Sequence, residues 1–384
     1  MESHPAHVPR VTLKDVAREA EVHISTAWRA LSNETYVSAE KRARIREIAK
    51  RLGYAPDPML SALSSYRRKQ RPPAYRSTLA WIDNFPSRRA CLETLHIRGY
   101  FEGARAYAES MGYRLEAFWL RERGMTPKRA REVLLARSIR GLLFAPQPAA
   151  NTQLALDLSS FACVSIGYSL AEPRLHVVVN DQHASTVQCM RRLVQLGHRR
   201  IGMVSASDTL KRTVHHFESP FHVFQDALPP AQRIPLFQIE GREEPANVAP
   251  WRERFAQWFG THRPSAILAT FAEVIPWLRE LGQRVPEDVS VATLSRTQQP
   301  GWAGIDQQER MVGARAIELL ISIFQAGERG VPDTPLRLLV EGKWFDGDTV
   351  RAVGEPQPEL LVALESARKP SPRRRGKNGL RLEV

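Results

Sequence analysis

Three cysteines in 384 residues, Cys91, Cys163 and Cys189, are too few and too scattered to build a disulfide or zinc framework. No C-x-x-C pair occurs among them, so reduced, buried thiols are expected. Long apolar runs are also missing. Nothing approaches the roughly 20 residues that a membrane-spanning helix needs, and no signal peptide is legible. Negative charge is the third shortage: 41 Asp and Glu stand against 55 Lys and Arg, for a net +14. Such a balance suits a polyanionic partner. Catalytic signatures are lacking as well. There is no G-x-S-x-G elbow, no G-x-G-x-x-G, no P-loop and no H-E-x-x-H. An enzyme, a resident cofactor and a metal site are therefore not expected. His215 and His216 would point to opposite faces of an extended chain, which makes them surface or pocket polar groups instead of joint metal ligands.

What is present begins at Val11. Thr12 with Asp15 three residues on is an N-cap signature. Behind it Leu13, Val16, Ala17 and Ala20 share one helical face. Glu21-Val22-His23 breaks the pattern, and a second short helix follows with Ala27, Ala30 and Leu31 as its apolar positions. A third starts at Ser38, carries Ile45, Ile48, Ala49 and Leu52 on one stripe, and stops at Gly53. Two short helices joined by a tight turn and braced by a third have the geometry of a helix-turn-helix module. The second helix of that motif lies in the major groove, which puts Ile24, Ser25 and Arg29 at base edges. Arg29 offers a bidentate fork suited to guanine, whereas Ile24 can only touch a thymine methyl or exclude a base by shape. Thr12, Thr26, Lys41, Arg42 and Arg44 read as backbone-positioning groups. A DNA-binding, cytoplasmic and nucleoid-associated protein is the expectation.

In order and spacing, V-T-L-K-D-V-A-R-E-A, T-A-W-R-A-L, Y-V-S-A-E-K-R-A-R-I and L-G-Y-A-P-D resemble the head of the lactose-repressor (LacI/GalR) family of bacterial transcription regulators. Two positions depart from that pattern: Glu21 stands where the family has Gly, and Trp28 where it has a small polar residue. Asp57-Pro58 is an N-cap with proline at the first helical position. The residues from Met59 to Ser65 can then form about two turns, too short to be stable alone in water. The resemblance implies a hinge helix there, with Leu63 wedged into a minor-groove step. Leu60 occupies a place where the family has a smaller residue.

From Arg76 onward apolar strands alternate with amphipathic helices. The strand segments are S-T-L-A-W-I, Arg140 to Ala145, Cys163 to Ile166, His176 to Asp181, Arg200 to Val204, Ala266 to Ala269 and Val289 to Leu294. Such alternation predicts doubly wound parallel sheets that bind ligands at the carboxyl ends of their strands. L-G-H-R-R-I-G-M-V, R-V-P-E-D-V-S-V and G-I-D-Q-Q-E-R-M-V-G-A-R-A-I-E-L-L resemble the same family's effector domain. The resemblance implies two α/β lobes of the periplasmic-binding-protein type, crossed three times by the chain. It also implies a homodimer and a small-molecule effector, with a sugar or sugar acid suspected. Only Phe271 to Arg279 separates the Ala266 strand from Glu280-Leu281-Gly282, so the second lobe should be shortened.

The family holds sugar hydroxyls with an Asn-Asp pair after the strand matching Ala266–Ala269 and an Asp after the next. Here those places read Thr270-Phe271-Ala272-Glu273 and Ser295-Arg296-Thr297. Arg212 falls near the family's ligand-binding arginine. Phe85, Trp302 and Glu273 complete the expected effector set as strand-end aromatics and a carboxylate. The expected division is a head at 1–56, a hinge and linker at 57–75, an effector and dimerisation domain at 76–350, and a basic disordered tail at 351–384. A solute-binding protein of transport would share the two lobes, and an enzyme could share the scaffold. Fold alone does not separate these readings; the head favours a regulator, and one without effector response stays open beside them.

Overall fold

A computed structural model of the protein describes residues 11–31, 37–54, 77–240 and 248–368. The head consists of α1 (Leu13–Glu19), α2 (Ile24–Leu31) and α3 (Ala39–Arg51). Its core holds apolar residues that the spacing selects, Val16, Ala17, Ala20, Ala27, Ala30, Ile45, Ile48 and Ala49, together with Val37. Alanines at these contacts let the three short helices approach closely. Thr12 and Asp15 close a capping box, and Ser38 caps α3 by accepting from the Lys41 amide. Glu21, standing in the family's glycine position, has φ +53. The tight turn thus keeps its left-handed residue without glycine's freedom.

The body has two lobes. In the first, β1 (Ser77–Asp83), β2 (Tyr113–Trp119), β3 (Gly141–Phe144), β5 (Ala162–Ile166), β7 (His176–Asn180) and β13 (Arg337–Val340) pair in the order β13-β7-β5-β3-β1-β2, all parallel, while β4 (Thr152–Gln153) and β6 (Leu170–Glu172) form a separate two-stranded pair. In the second, β8 (Ile201–Ala206), β9 (Phe237–Ile239), β10 (Ala266–Ala269), β11 (Ser290–Thr293), β12 (Gly304–Asp306) and β14 (Lys343–Phe345) run in the order β14-β12-β11-β10-β8-β9. Only β14 is antiparallel to its neighbour. The strands Leu79–Asp83, Gly141–Phe144, Ala162–Ile166 and Ile201–Ala206 are buried along their lengths, as expected of sheets covered by helices on both faces. Every strand segment expected from the sequence forms, with ends shifted by a residue or two.

The chain passes between the lobes three times: after β7, after β12 and after β13. Asn180, completely buried, ties the crossings together. Its Nδ2 donates to the carbonyl of Gln307 (3.4 Å) and to that of Val340 (3.1 Å). Helix Glu309–Ala326 returns from the second crossing and packs along helix Leu95–Ser110. The element that follows Phe271 in the second lobe is helix Val274–Glu280, seven residues long.

One boundary needs correction. The second lobe does not stop near residue 350. Val353 donates its amide to the Leu196 carbonyl, and helix Pro358–Arg368 buries Leu360 and Leu364 in the lobe core. The composition of residues 351–384 is dominated by its basic end, and that masked a short helix with two buried leucines. No helix among the described residues is long and apolar enough to cross a membrane. Cys91, Cys163 and Cys189 are all buried and unpaired.

Candidate functional site

Carboxyl ends of strands from both lobes face each other across a cavity of about 330 Å³. From the first lobe come Phe85 after β1, Pro146 after β3, and Tyr168 with Ser169 after β5. Thr94, His96, Ile97 and Tyr100, at the start of helix Leu95–Ser110, form the adjoining wall. The second lobe supplies Asp208 and Arg212 after β8, Thr270 after β10, and Leu294 with Ser295 after β11. The space lies outside the carboxyl ends of parallel strands, where open α/β sheets bind ligands, and is lined by loop and helix side chains.

Hydrogen bonds hold the walls in place. Phe85 is fixed by its amide on Asp83 Oδ1 (2.8 Å) and its carbonyl under Trp119 Nε1 (2.8 Å). Burial raises the Asp83 carboxyl above its ordinary range. Gln147, fully buried, anchors the loop after β3 by donating its amide to Ser169 Oγ (2.7 Å) and its Nε2 to Ala145 O (2.8 Å). On the other side Ser205 and Thr270 share a hydroxyl contact of 3.0 Å. Gln307 donates Nε2 to Leu294 O (2.7 Å), joining the second crossing to the end of β11.

Arg212 bridges the two walls. From the second lobe its Nη1 donates to the Pro148 carbonyl of the first (2.7 Å), and its Nε lies 3.9 Å from Asp208 Oδ2. Nearby Tyr168 and His216 meet edge to face across the lobes at 4.9 Å. His215 is not extended, with φ +62, and it contacts the buried Glu218. Neither histidine lines the cavity, and the described residues hold no cluster able to bind a metal. His96 is pushed down to about 4 by burial, with the Arg212 charge adding to the effect, so its imidazole is neutral. Tyr100 is raised by burial and keeps its proton. The wall therefore offers neutral donors and acceptors, one guanidinium, and one carboxylate already beside that guanidinium.

Of the four residues expected at the effector site, Phe85 and Arg212 line the cavity, while Glu273 and Trp302 do not. The chain leaves β10 through Phe271, which is buried in the lobe core, and so carries Glu273 past the rim to the start of helix Val274–Glu280. Trp302 packs against the hydrophobic cluster of β8, β10 and β11. His96, Tyr100, Tyr168, Gln182 and Phe217 were not anticipated. Tyr168 sits two residues past β5, and the strand-end rule applied to that strand would have found it.

In the head, Ile24 is exposed at the start of α2. Ser25 Oγ lies 2.7 Å from His23 Nδ1. Thr12 holds the capping box, and Arg42 donates Nη2 to the Val37 carbonyl (2.9 Å), so both have structural partners beside any DNA role. Lys41 and Arg44 are exposed and Thr26 is half-buried. The Arg29 side chain and the hinge residues Leu60 and Leu63 lie outside the described residues.

A family model for bacterial regulatory proteins of the lacI family matches residues 12–57, and one for a periplasmic binding protein-like domain matches residues 190–346. The chain belongs to the LacI/GalR family. Among curated relatives, the HTH-type transcriptional repressor PurR of Aliivibrio fischeri (strain MJ11) is 24% identical over 369 residues, covering 91% of this chain and 97% of its own. The HTH-type transcriptional regulator KdgR of Bacillus subtilis (strain 168) is 23% identical over 342 residues, covering 84% and 94%. A solved complex of the transcriptional regulator CelR with cellobiose is similar in fold, with TM-score 0.50 at 20% identity over 88% of this chain and 100% of that one. This family member is a DNA-binding transcription regulator with a two-lobed effector-type domain.

Proposed function

We propose that this regulator is a repressor that binds a palindromic operator as a homodimer and responds to a small carbohydrate, a sugar acid in particular. The observation that carries the effector half is the cavity walled by strand ends of both lobes and bridged by Arg212. A molecule held there touches both lobes and so favours one lobe arrangement over others, which is what an allosteric effector must do. Among the described residues, the only carboxylate lining the space, Asp208, already lies beside Arg212, which disfavours a neutral hexose held by paired acids. Cellobiose in the CelR complex supports the carbohydrate class.

In the DNA half, Ile24, Ser25 and Arg29 read bases, and Thr12, Thr26, Lys41, Arg42 and Arg44 position the head on phosphates. Leu60 and Leu63 belong to a hinge within 57–75 that enters the minor groove. The head spans 1–56, and the domain from 76 onward binds the effector and dimerises.

Footprinting on DNA upstream of the protein's own gene is expected to protect two related half-sites flanking a distorted central step. Protection of one asymmetric half-site by a monomer would refute the architecture. Leu63→Ala should lose operator affinity while salt-driven, sequence-independent binding persists. Sugars, sugar acids and nucleosides are then screened by thermal shift, and each hit is tested for its effect on operator affinity. A screen with no hit would favour a regulator that lacks effector response.

A further inference from the structure

Gln182 opens the first helix of the second lobe, directly after the Asn180 crossing, and is one of the residues lining the cavity. It is only 6% exposed, and no group among the described residues hydrogen-bonds its Oε1. A buried carboxamide oxygen without a partner is destabilising, and such groups are rare in folded proteins unless a ligand or function accounts for them. The other polar groups of the wall are better provided for. Gln307 donates to Leu294 O, Thr270 shares its hydroxyl with Ser205, and Thr94 donates to Ala90 O. Among the described residues of this lining, Gln182 Oε1, at the joint between the lobes, is the one fully enclosed side-chain atom without a partner.

We infer that Gln182 is a specificity-determining residue of this cavity, whose carboxamide turns to take a hydroxyl or N–H donor of the bound molecule. The inference rests on the reading of the cavity as the effector site, and it refines the ligand's chemistry. Among the described residues of the lining, Arg212 supplies the one cationic group and Gln182 a neutral acceptor, while Phe85 and Tyr168 supply apolar faces. A hydroxy acid matches that set: its carboxylate faces the guanidinium, a hydroxyl donates to the carboxamide, and its C–H face rests on an aromatic ring. Reading by neutral amide, imidazole and phenol groups also agrees with the neutral His96 beside them.

The test uses the full chain with D-glucuronate as the hydroxy acid and D-glucose as its neutral counterpart. Gln182→Leu keeps the approximate shape and removes the unpaired acceptor. Without ligand it is expected to melt higher than wild type, by roughly 2 °C. With D-glucuronate, calorimetry should show at least a tenfold loss of affinity for Gln182→Leu. Gln182→Glu retains the acceptor but adds negative charge, so it should lose D-glucuronate more severely than D-glucose. A lower melting temperature for Gln182→Leu would overturn the inference, as would unchanged D-glucuronate affinity. If neither sugar binds wild type while Gln182→Leu melts higher, the role of Gln182 stands and the sugar-acid reading falls.

Discussion

In the first lobe the cavity wall is helix Leu95–Ser110, seated on helix Glu309–Ala326 with backbone against backbone. In the second lobe the facing wall is a six-residue helix, Ser207–Arg212, and the turn that follows it. Glycine permits the first arrangement. A Cβ on Gly103 would lie 2.0 Å from the Arg310 carbonyl oxygen, and one on Gly313 would lie 1.9 Å from that of Tyr100. Tyr107 adds a hydrogen bond to Glu318 (2.8 Å) across the same pair of helices. The second wall has the opposite character. Val214 and His215 both occupy the left-handed region, at φ +50 and +62, and Val214 is exposed. Left-handed backbone costs a non-glycine residue roughly 1–2 kcal/mol, and a β-branched one is the least suited to it.

This contrast bears on regulation. Two helices in backbone contact have one arrangement, and the crossing after β12 feeds directly into one of them. A strained turn has alternatives within a few kcal/mol. Adjustment of lobe closure should therefore occur at the Arg212–His216 rim, against a fixed wall formed by Tyr100 and His96.

The largest expected effect tests the fixed wall. Gly313→Ala adds only a Cβ, but that atom overlaps a backbone oxygen that has no room to retreat. A loss of about 4 kcal/mol is expected, at the severe end for single substitutions. A calorimetric melt of the full chain within a degree of wild type would break the picture of helices in backbone contact. Next comes the second lobe's terminal helix. Leu364 is fully buried there, and Leu364→Ala should cost about 3 kcal/mol. A neutral outcome in urea unfolding would detach that helix from the lobe.

The strained rim gives a smaller effect of opposite sign. Val214→Gly should stabilise the protein by about 1 kcal/mol, because glycine accepts the left-handed conformation without a Cβ penalty. A fall in stability would show that the turn is relaxed as it stands. The remaining effect concerns pH. His96 is lowered from 6.5 to about 4, chiefly by burial, so the unfolded chain takes up its proton first as pH falls. Its contribution to stability is complete above pH 6.5, declines as pH drops toward 4, and is gone below that. His96→Gln should therefore lose less stability than wild type between pH 7 and pH 5 in urea titrations. Parallel losses would place His96 in contact with solvent.

The head was almost wholly legible because its determinants are local. A cap at Thr12, stripes at i, i+3 and i+4, and a stop at Gly53 each act within one or two turns. The long strands of the body were legible for a related reason: a run such as Ile201–Ala206, buried on both faces, must be apolar throughout. The short strands β9, β12 and β14 carry only three residues each, and distant partners decide them. No local pattern announces such pairing.

The cavity shows the same division. Phe85 and Arg212 could be nominated because each follows a recognisable strand, and a resemblance marked the arginine. The same logic points to Glu273, which does not line the cavity: the chain buries Phe271 first and enters helix Val274–Glu280. What the sequence by itself determined was the set of elements and the family to which they belong, because periodicity, caps and motif order are written in neighbouring residues. Only the tertiary structure decided which side chains share the cavity. That depends on the bend after each strand, on three crossings tied at Asn180, and on two glycines that let one wall close tightly on its support. These are packing outcomes between residues far apart in the chain, and neighbouring residues do not encode them.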